Sequence, residues 1–368
     1  MKLLIQPGDG VTPLVKGINS AKKSVEIAIF RFDRQEIERA LENAVARGVF
    51  VHALIAYTNR GGEKSLRELE ANLLAAGITV ARTAGDLLRY HYKFMIIDRR
   101  TLYLLTFNYT YLDIEHSRSF GIITKNSSFV QEAVRLFEAD TKRQPYTPDL
   151  EAFVVSPTNA RKQLPRFIKG AKKQLLIYDP KISDAAMLRL LEERARAGVE
   201  IRVIGHSGKK GFGLDTRRVT RTRLHTRTII RDRHKAFVGS QSLRQVELDK
   251  RRELGLIVRD AKVVKALLKT FESDWRSLKP TEEHADKNGK GSRQPAKTAK
   301  KIERVIAKEL PLAPVVRHAI KQVAGETAEV KLKPKEVEET VEDAVKEGIK
   351  DALKHVVKEA VERKTGEQ

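Results

Sequence analysis

At 368 residues the chain has room for two ordinary domains and a tail. It contains no cysteine, which excludes disulfides and thiolate metal sites. Its 71 Lys/Arg against 48 Asp/Glu give a net charge of +23, which fits either a plainly basic exterior or a polyanionic partner, nucleic acid or an anionic lipid surface. From Lys279 onward there are 20 basic and 17 acidic residues. This leaves 51 and 31 in the first 278, so the excess of +20 lies there. It is densest over Lys209–Lys235, with ten Lys/Arg against two Asp. No apolar run approaches the roughly 18–20 residues of a membrane-spanning helix. The opening "MKLLIQPGDG" is too short for a signal peptide. A cytoplasmic protein, at most peripheral at the inner membrane face, is expected.

In chain order, "AKKSVEIAIFRFD" (Ala21–Asp33) runs from a basic lead-in into a β-rich apolar segment that reads as a buried strand. "QEIERALENAVARGVFVHALI" follows, apolar at helical spacing, stopping at Gly48 and re-entering a strand. A further helix is predicted over Glu63–Gly77. Then come the β-rich "HYKFMIID" (His91–Asp98), the turn "DRRT", the return strand "LYLLTFN" and the helix "FVQEAVRLFEAD". The prolines of "YTPDLEAFVVSPTN" mark a seam, and a new strand begins at Ala152.

After the seam the pattern repeats. "AKKQLLIYDPKISD" answers the first buried strand, and "AAMLRLLEERARAGVEIRVIG" answers the first helix and its return, with Gly198 as the stop. In place of the extra helix stands the basic, Gly-rich "GHSGKKGFGLDTRRVTRTR", a predicted loop that leads straight into "HTRTIIRD" (His225–Asp232). "DRHK", "AFVGSQS" and a helix ending near Trp275 complete the second copy. Strand–helix–strand units in both copies predict an α/β protein. It has two pseudo-twofold-related domains, 1–147 and 148–278, each a mixed, largely parallel sheet flanked by helices. The composition predicts a disordered linker over 279–301 and a helical tail over 302–368. In the tail, Lys335–Arg363 places Val337, Val341, Val345, Ile349, Leu353, Val356 and Val357 on one stripe. This is a solvated helix with at most a weak face for a protein partner.

Residues two apart on a strand share a face, so His91 points with Lys93 and His225 with Arg227. Asp98 and Asp232, seven residues on, face away and read as turn carboxylates. A tight hairpin would set Asn108 across from His91 and Ser242 across from His225. Small polar pairs, Thr106/Asn108 and Ser240/Ser242, recur at the same offset. One imidazole without a same-face carboxylate is not a metal site. Two imidazoles and two cations around one cleft suit a phosphodiester: one His attacks phosphorus, the other protonates the leaving oxygen, and Lys93 and Arg227 hold the non-bridging oxygens. The remaining histidines, His52, His116, His206 and His234, read as core or solvated, with His206 placed to line the cleft.

These strings resemble the phospholipase D superfamily, whose mark is HxKxxxxD followed by GSxN, twice per active unit. The resemblance covers about residues 1–278, including "VVSPTNAR", "YDPKISD" and "FESDW". It implies the pseudo-twofold fold, a phosphohistidine mechanism without metal or cofactor, and either hydrolysis or transfer. Phospholipids are the first expectation for substrate, as in a phospholipase D or a cardiolipin synthase. Nucleic acid is the alternative, and an inactive polyanion-binding module is a third reading from another class. Thr106, Ser240 and Ser242 would bind substrate, and Arg217, Arg218 and Arg221 of the basic loop would collect polyanions. The chain departs from the pattern in "LTFN", in "GSQS" and in Arg227 for Lys. The family also places a Glu or Gln eleven residues beyond the Asn position, where this chain has Ser119 and Glu253. Within the resemblance Glu253 orients His91 across the interface, and Ser119 leaves His225 without a carboxylate from that position. This favours His91 as nucleophile and His225 as general acid.

Overall fold

A computed structural model describes residues 1–57, 63–207, 214–219 and 222–278. The linker, the predicted tail helix, Arg221 and residues 208–213 of the basic loop lie outside the described residues.

The first half runs β1 (Lys2–Gln6), α1 (Thr12–Ser20), β2 (Ser24–Ile29), α2 (Gln35–Ala46), β3 (Phe50–Ile55), α3 (Glu63–Ala75), β4 (Thr79–Arg82), β5 (Arg89–Tyr90), β6 (Lys93–Ile97), β7 (Thr101–Leu105), α4 (Tyr111–Glu115), β8 (Ser117–Thr124) and α5 (Ser127–Thr141). The second runs β9 (Phe153–Ser156), α6 (Ala160–Lys169), β10 (Gln174–Ile182), α7 (Ala185–Arg196), β11 (Glu200–Ser207), β12 (Asp215–Arg217), β13 (Arg223–Leu224), β14 (Arg227–Arg231), β15 (Lys235–Gly239), α8 (Gln245–Asp249), β16 (Arg251–Val258) and α9 (Ala261–Ser277). The expected seam falls between α5 and β9.

The two sheets repeat one another. The first is ordered β1-β8-β7-β6-β2-β3-β4; the second carries β9 on β16, then β15-β14-β10-β11-β12. Both are mixed, as expected, but parallel pairing is the smaller share. It joins β2-β3-β4 and β10-β11-β12, while β6-β7-β8 and β14-β15-β16 are antiparallel meanders. Crossover helices force parallel neighbours only around β2 and β10; the short turns "DRRT" and "DRHK" fold their strands straight back. Gly48 and Gly198 end α2 and α7 with φ of 79° and 84°, the left-handed geometry of a helix stop.

Every residue of β2 after Ser24 is buried, as a central strand covered on both faces requires. The outer face of each sheet packs on its own helices, Leu14, Ile37 and Leu41 in the first half and Leu164, Phe167 and Leu191 in the second. A third cluster takes Phe94, Phe120 and Phe137 from the first half together with Phe153, Tyr178, Phe271 and Trp275 from the second. Among the described residues no helix is long and apolar enough to cross a membrane.

Two very short strands cross between the halves. β5 lies parallel to β16, with Arg89 opposite Arg251 and Tyr90 opposite Arg252. β13 lies parallel to β8, with Arg223 opposite Ser117 and Leu224 opposite Arg118. Each immediately precedes a histidine of interest.

Candidate active site

His91 and His225 are 8% and 4% exposed, and each is held by the opposite half. The His91 amide donates to the Arg252 carbonyl at 2.8 Å, and the His225 amide to the Arg118 carbonyl at 3.0 Å. The cations fold back onto their own histidines. Lys93 Nζ donates to the His91 carbonyl at 2.5 Å and Arg227 Nη1 to the His225 carbonyl at 2.7 Å. Lys93 also lies 5.0 Å from the centre of the Phe30 ring, which meets His91 edge-on at 4.6 Å.

Glu253 meets His91 as expected, its Oε2 3.0 Å from Nδ1. The structure differs at the other imidazole. Ser119 does stand at the matching position, yet His225 has a carboxylate: Asp113 Oδ2 lies 3.1 Å from its Nδ1, off hydrogen-bond alignment. The same oxygen accepts from the Asn108 amide nitrogen at 2.9 Å and from Asn108 Nδ2 at 2.6 Å. Asn108 is therefore engaged with the carboxylate at His225 rather than set facing His91. The hairpin register ends at Lys93 opposite Leu105, and His91 has already left it for β16. Asp113 had no signal in the repeated strings, because it lies in a five-residue helix outside them. Its counterpart Glu247 accepts from the Ser242 amide at 2.7 Å and is approached by Arg251 at 3.3 Å and Arg244 at 3.5 Å.

Burial disfavours charge on both imidazoles. It holds His91 well below the ordinary histidine value, helped by Lys93, Arg251 and Arg227. It pushes His225 down to about 4 against the pull of Asp113. Burial also brings Lys93 down to about 7, against the attraction of Glu253. For Asp113 burial is outweighed by His225, Arg223 and the Asn108 amide, which hold the carboxyl well below its usual range. Glu253 shifts the other way, raised by burial despite Lys93 and Arg251.

The other expected site residues divide. Asp98 and Asp232 are turn carboxylates: Asp98 accepts from the Lys22, Lys23 and Ser24 amides, Asp232 from those of Lys172, Lys173 and Gln174. Thr106 and Ser240, expected to touch substrate, use their hydroxyls on the next strand, accepting from the Phe120 amide at 3.0 Å and the Leu254 amide at 3.1 Å. Ser242 accepts from Arg227 Nε at 3.1 Å. Arg217, expected to collect polyanions, instead donates to the Trp275 and Leu278 carbonyls and lies 4.2 Å from the Trp275 ring centre, closing the end of α9. Arg218 is exposed and bonds His206 Nδ1 at 3.0 Å. Among the described residues no three His, Asp or Glu side chains gather as a metal site.

With Nδ1 of each imidazole turned to a carboxylate, Nε2 is the nitrogen left for chemistry. Two such imidazoles beside Lys93 and Arg227 form a set able to attack, protonate and neutralise one anionic phosphorus centre.

A family model described as cardiolipin synthase, PLD-like domain, matches residues 14–141 and 164–275. Mitochondrial cardiolipin hydrolase of Danio rerio is 30% identical over 130 residues, 34% of this chain and 56% of that protein. The Mus musculus protein of the same name is 29% identical over 126 residues, 34% of this chain and 55% of that one. The chain thus spans about half the length of these curated relatives. Among solved structures, phosphatidylserine synthase of Haemophilus influenzae Rd KW20 aligns with a TM-score of 0.58 at 12% identity, covering 80% of this chain and 91% of that one. Polyphosphate kinase of Porphyromonas gingivalis aligns at 0.64 and 18%, covering 82% and 55%. At these identities the likeness to both structures is one of fold. The model's two matched segments hold His91 with Lys93 and His225 with Arg227, and together they take in most of the chain, which belongs to the phospholipase D-like family.

Proposed function

We propose that the protein is a phosphodiesterase that works through a phosphohistidine, with a phospholipid as its substrate. The observation that carries this reading is the pair of buried imidazoles, each with its Nδ1 against a carboxylate from the opposite half and each with a cation at its own carbonyl. His91 Nε2 attacks phosphorus while the bond to the leaving oxygen breaks and His225 supplies that oxygen with a proton. Water or an alcohol then attacks phosphorus, gives its proton to His225, and displaces His91. Water makes the enzyme a hydrolase, an alcohol a transferase.

The roles follow the carboxylates. His91 is held toward the neutral form an attacking nitrogen needs. His225 faces Asp113, which stays anionic, so an arriving phosphodiester anion brings its proton to this imidazole first. The assignment matches the sequence expectation but rests on different ground, since both histidines have carboxylates. The lipid preference is supported by the family description and by the name of the curated relatives.

One preparation assayed on a phosphatidyl ester, on single-stranded DNA and on a chromogenic phosphodiester, with His91→Ala as control, tests the reading. Turnover of the lipid after exhaustive EDTA treatment, abolished by His91→Ala, is expected. Preference for DNA would make the protein a nuclease, and no turnover of any substrate would leave a polyanion-binding module. A substrate with a good leaving group should label His91 and still do so in His225→Ala; phosphate on His225 would reverse the roles.

A further inference from the structure

We infer that Asp113 is the positioning carboxylate of His225, and that in this chain the carboxylate has moved from position 119 to position 113. The inference rests on reading His225 as the proton donor of the proposed reaction.

The two crossing strands have the same register. Tyr90 lies opposite Arg252, and the next residues are His91 and Glu253; Leu224 lies opposite Arg118, and the next residues are His225 and Ser119. At the first place Glu253 reaches Nδ1. At the second, Ser119 is fully buried and its short side chain donates to the Asp113 carbonyl at 3.4 Å. The carboxylate comes instead from α4. Asp113 Oδ2 is held by both Asn108 donors as well as facing His225, and Oδ1 takes the Arg223 guanidinium, two residues before His225. The Asp113 amide is tied to Thr110 Oγ1 at 3.4 Å.

The second half shows why the move is not simply repeated there. Glu247, five residues after Ser242 as Asp113 is five after Asn108, is held by Arg251 and Arg244 with Arg227 at 3.9 Å. Its charge is used among cations, and Glu253 serves His91. A consequence follows for Asn108. A carboxylate only accepts, so Nδ2 must be the atom turned to Asp113, and one of its two hydrogens is used to hold Asp113.

A carboxylate on Nδ1 fixes the tautomer and steadies the imidazolium that delivers the proton. Its loss should hurt most when the leaving oxygen needs that proton. The test uses the full chain, Asp113→Asn, and Asp113→Asn with Ser119→Glu. Nitrogen NMR of labelled histidine in the substrate-free protein reads the His225 tautomer and its titration. Kinetics compare phosphodiesters with good and poor leaving groups. Asp113→Asn should mix the tautomers of His225, lower its titration point, and reduce turnover of the poor leaving group by about 10–100-fold, with at least about tenfold less effect on the good one. Adding Ser119→Glu should restore the tautomer and recover at least about tenfold of the loss. If Asp113→Asn does not fold, Asp113→Glu is read in its place, with the Nδ1–H form and the leaving-group pattern expected to survive. An unchanged His225 tautomer, or equal losses on both leaving groups without rescue, overturns the inference. A wild-type protein that cleaves no phosphodiester overturns the reading of function instead, and the NMR arm still decides the role of Asp113.

Discussion

Lys93 is a buried ammonium whose pKa burial brings to about 7, beside a histidine meant to attack an anion. Its partner in the repeat, Arg227, carries a delocalised guanidinium in place of an ammonium. Above about pH 7 the free enzyme loses the Lys93 charge, so kcat/KM should fall with one-proton slope on the alkaline side; Lys93→Arg should move that limb out of reach. A pH–rate profile on a soluble phosphodiester checks both, and a limb that stays in the Arg variant would assign it elsewhere. Stability follows the opposite sense. The unfolded chain binds this proton up to about 10.5, so between about 7 and 10.5 the native state gains stability as pH rises. Lys93→Met should therefore stabilise the fold below pH 7, by up to about 5 kcal/mol, and lose that advantage across the same window in urea melts. His91, Lys93, His225 and Arg227 were legible because their strings repeat, and Glu253 because the family resemblance marks its position. Asp113 lies outside those strings and was not read, although an acidic residue recurs five positions after Asn108 and after Ser242, as Asp113 and Glu247, and that repeat was its signal. Thr106, Ser240 and Arg217 were expected at the substrate, and each also engages a neighbouring backbone amide or carbonyl, a use of hydroxyls and guanidinium groups that their place near the repeated string does not reveal.

At the scale of elements, the hairpin turns carry an unusual backbone. Asp98 and Arg99 have φ of 52° and 51°, Asp232 and Arg233 of 50° and 60°, a left-handed conformation uncommon outside glycine and tolerated better by Asp than by Arg. Each turn is fastened by its aspartate, which gathers three amides at the start of β2 or β10. Burial pushes these carboxyls up, and the three donors outweigh it and hold both below the ordinary value. The last residue of the repeated string is therefore a fastening between the hairpin and the central strand, as its odd spacing from the histidine implied. Asp98→Ala should cost about 2 kcal/mol, from three amide bonds lost at a partly exposed site, with turnover per folded molecule largely kept. Denaturant melts alongside kcat read this; a catalytic loss without destabilisation would place Asp98 in the chemistry. The strands β5 and β13 show the limit of sequence reading for elements. Two residues cannot display an alternating pattern, and what makes them strands is the edge of the other half.

For the whole molecule, the repeat announced two copies but not how each copy completes the other. Beyond the exchanged carboxylates, two ion pairs across the joint involve arginines next to the histidine contacts. Arg118 on β8 meets Asp274 on α9 at 2.8 Å, and Arg252 on β16 meets Asp140 on α5 at 3.1 Å. These aspartates end the related strings "FEAD" and "FESD", and the two arginines are the residues whose carbonyls hold the His225 and His91 amides. Tyr178 and Tyr92 donate to the same aspartates at 2.7 Å. The shared cluster of Phe120, Tyr178, Phe271 and Trp275 lies at this joint, with Phe120 and Tyr178 edge-to-face at 5.5 Å. Separating the halves would expose these aromatics and leave Asp140, Arg252 and Asp274 with unpaired charges, a cost of several kcal/mol per partner. The two halves should therefore unfold together. Calorimetry of residues 1–278 should give one transition whose calorimetric and van't Hoff enthalpies agree. Residues 1–147 and 148–278 made separately should expose apolar surface, aggregate and show no turnover, whereas co-expression should recover both solubility and activity. Two resolved transitions, or an active isolated half, would show that the joint is an ordinary domain contact and that each histidine finds what it needs within its own copy.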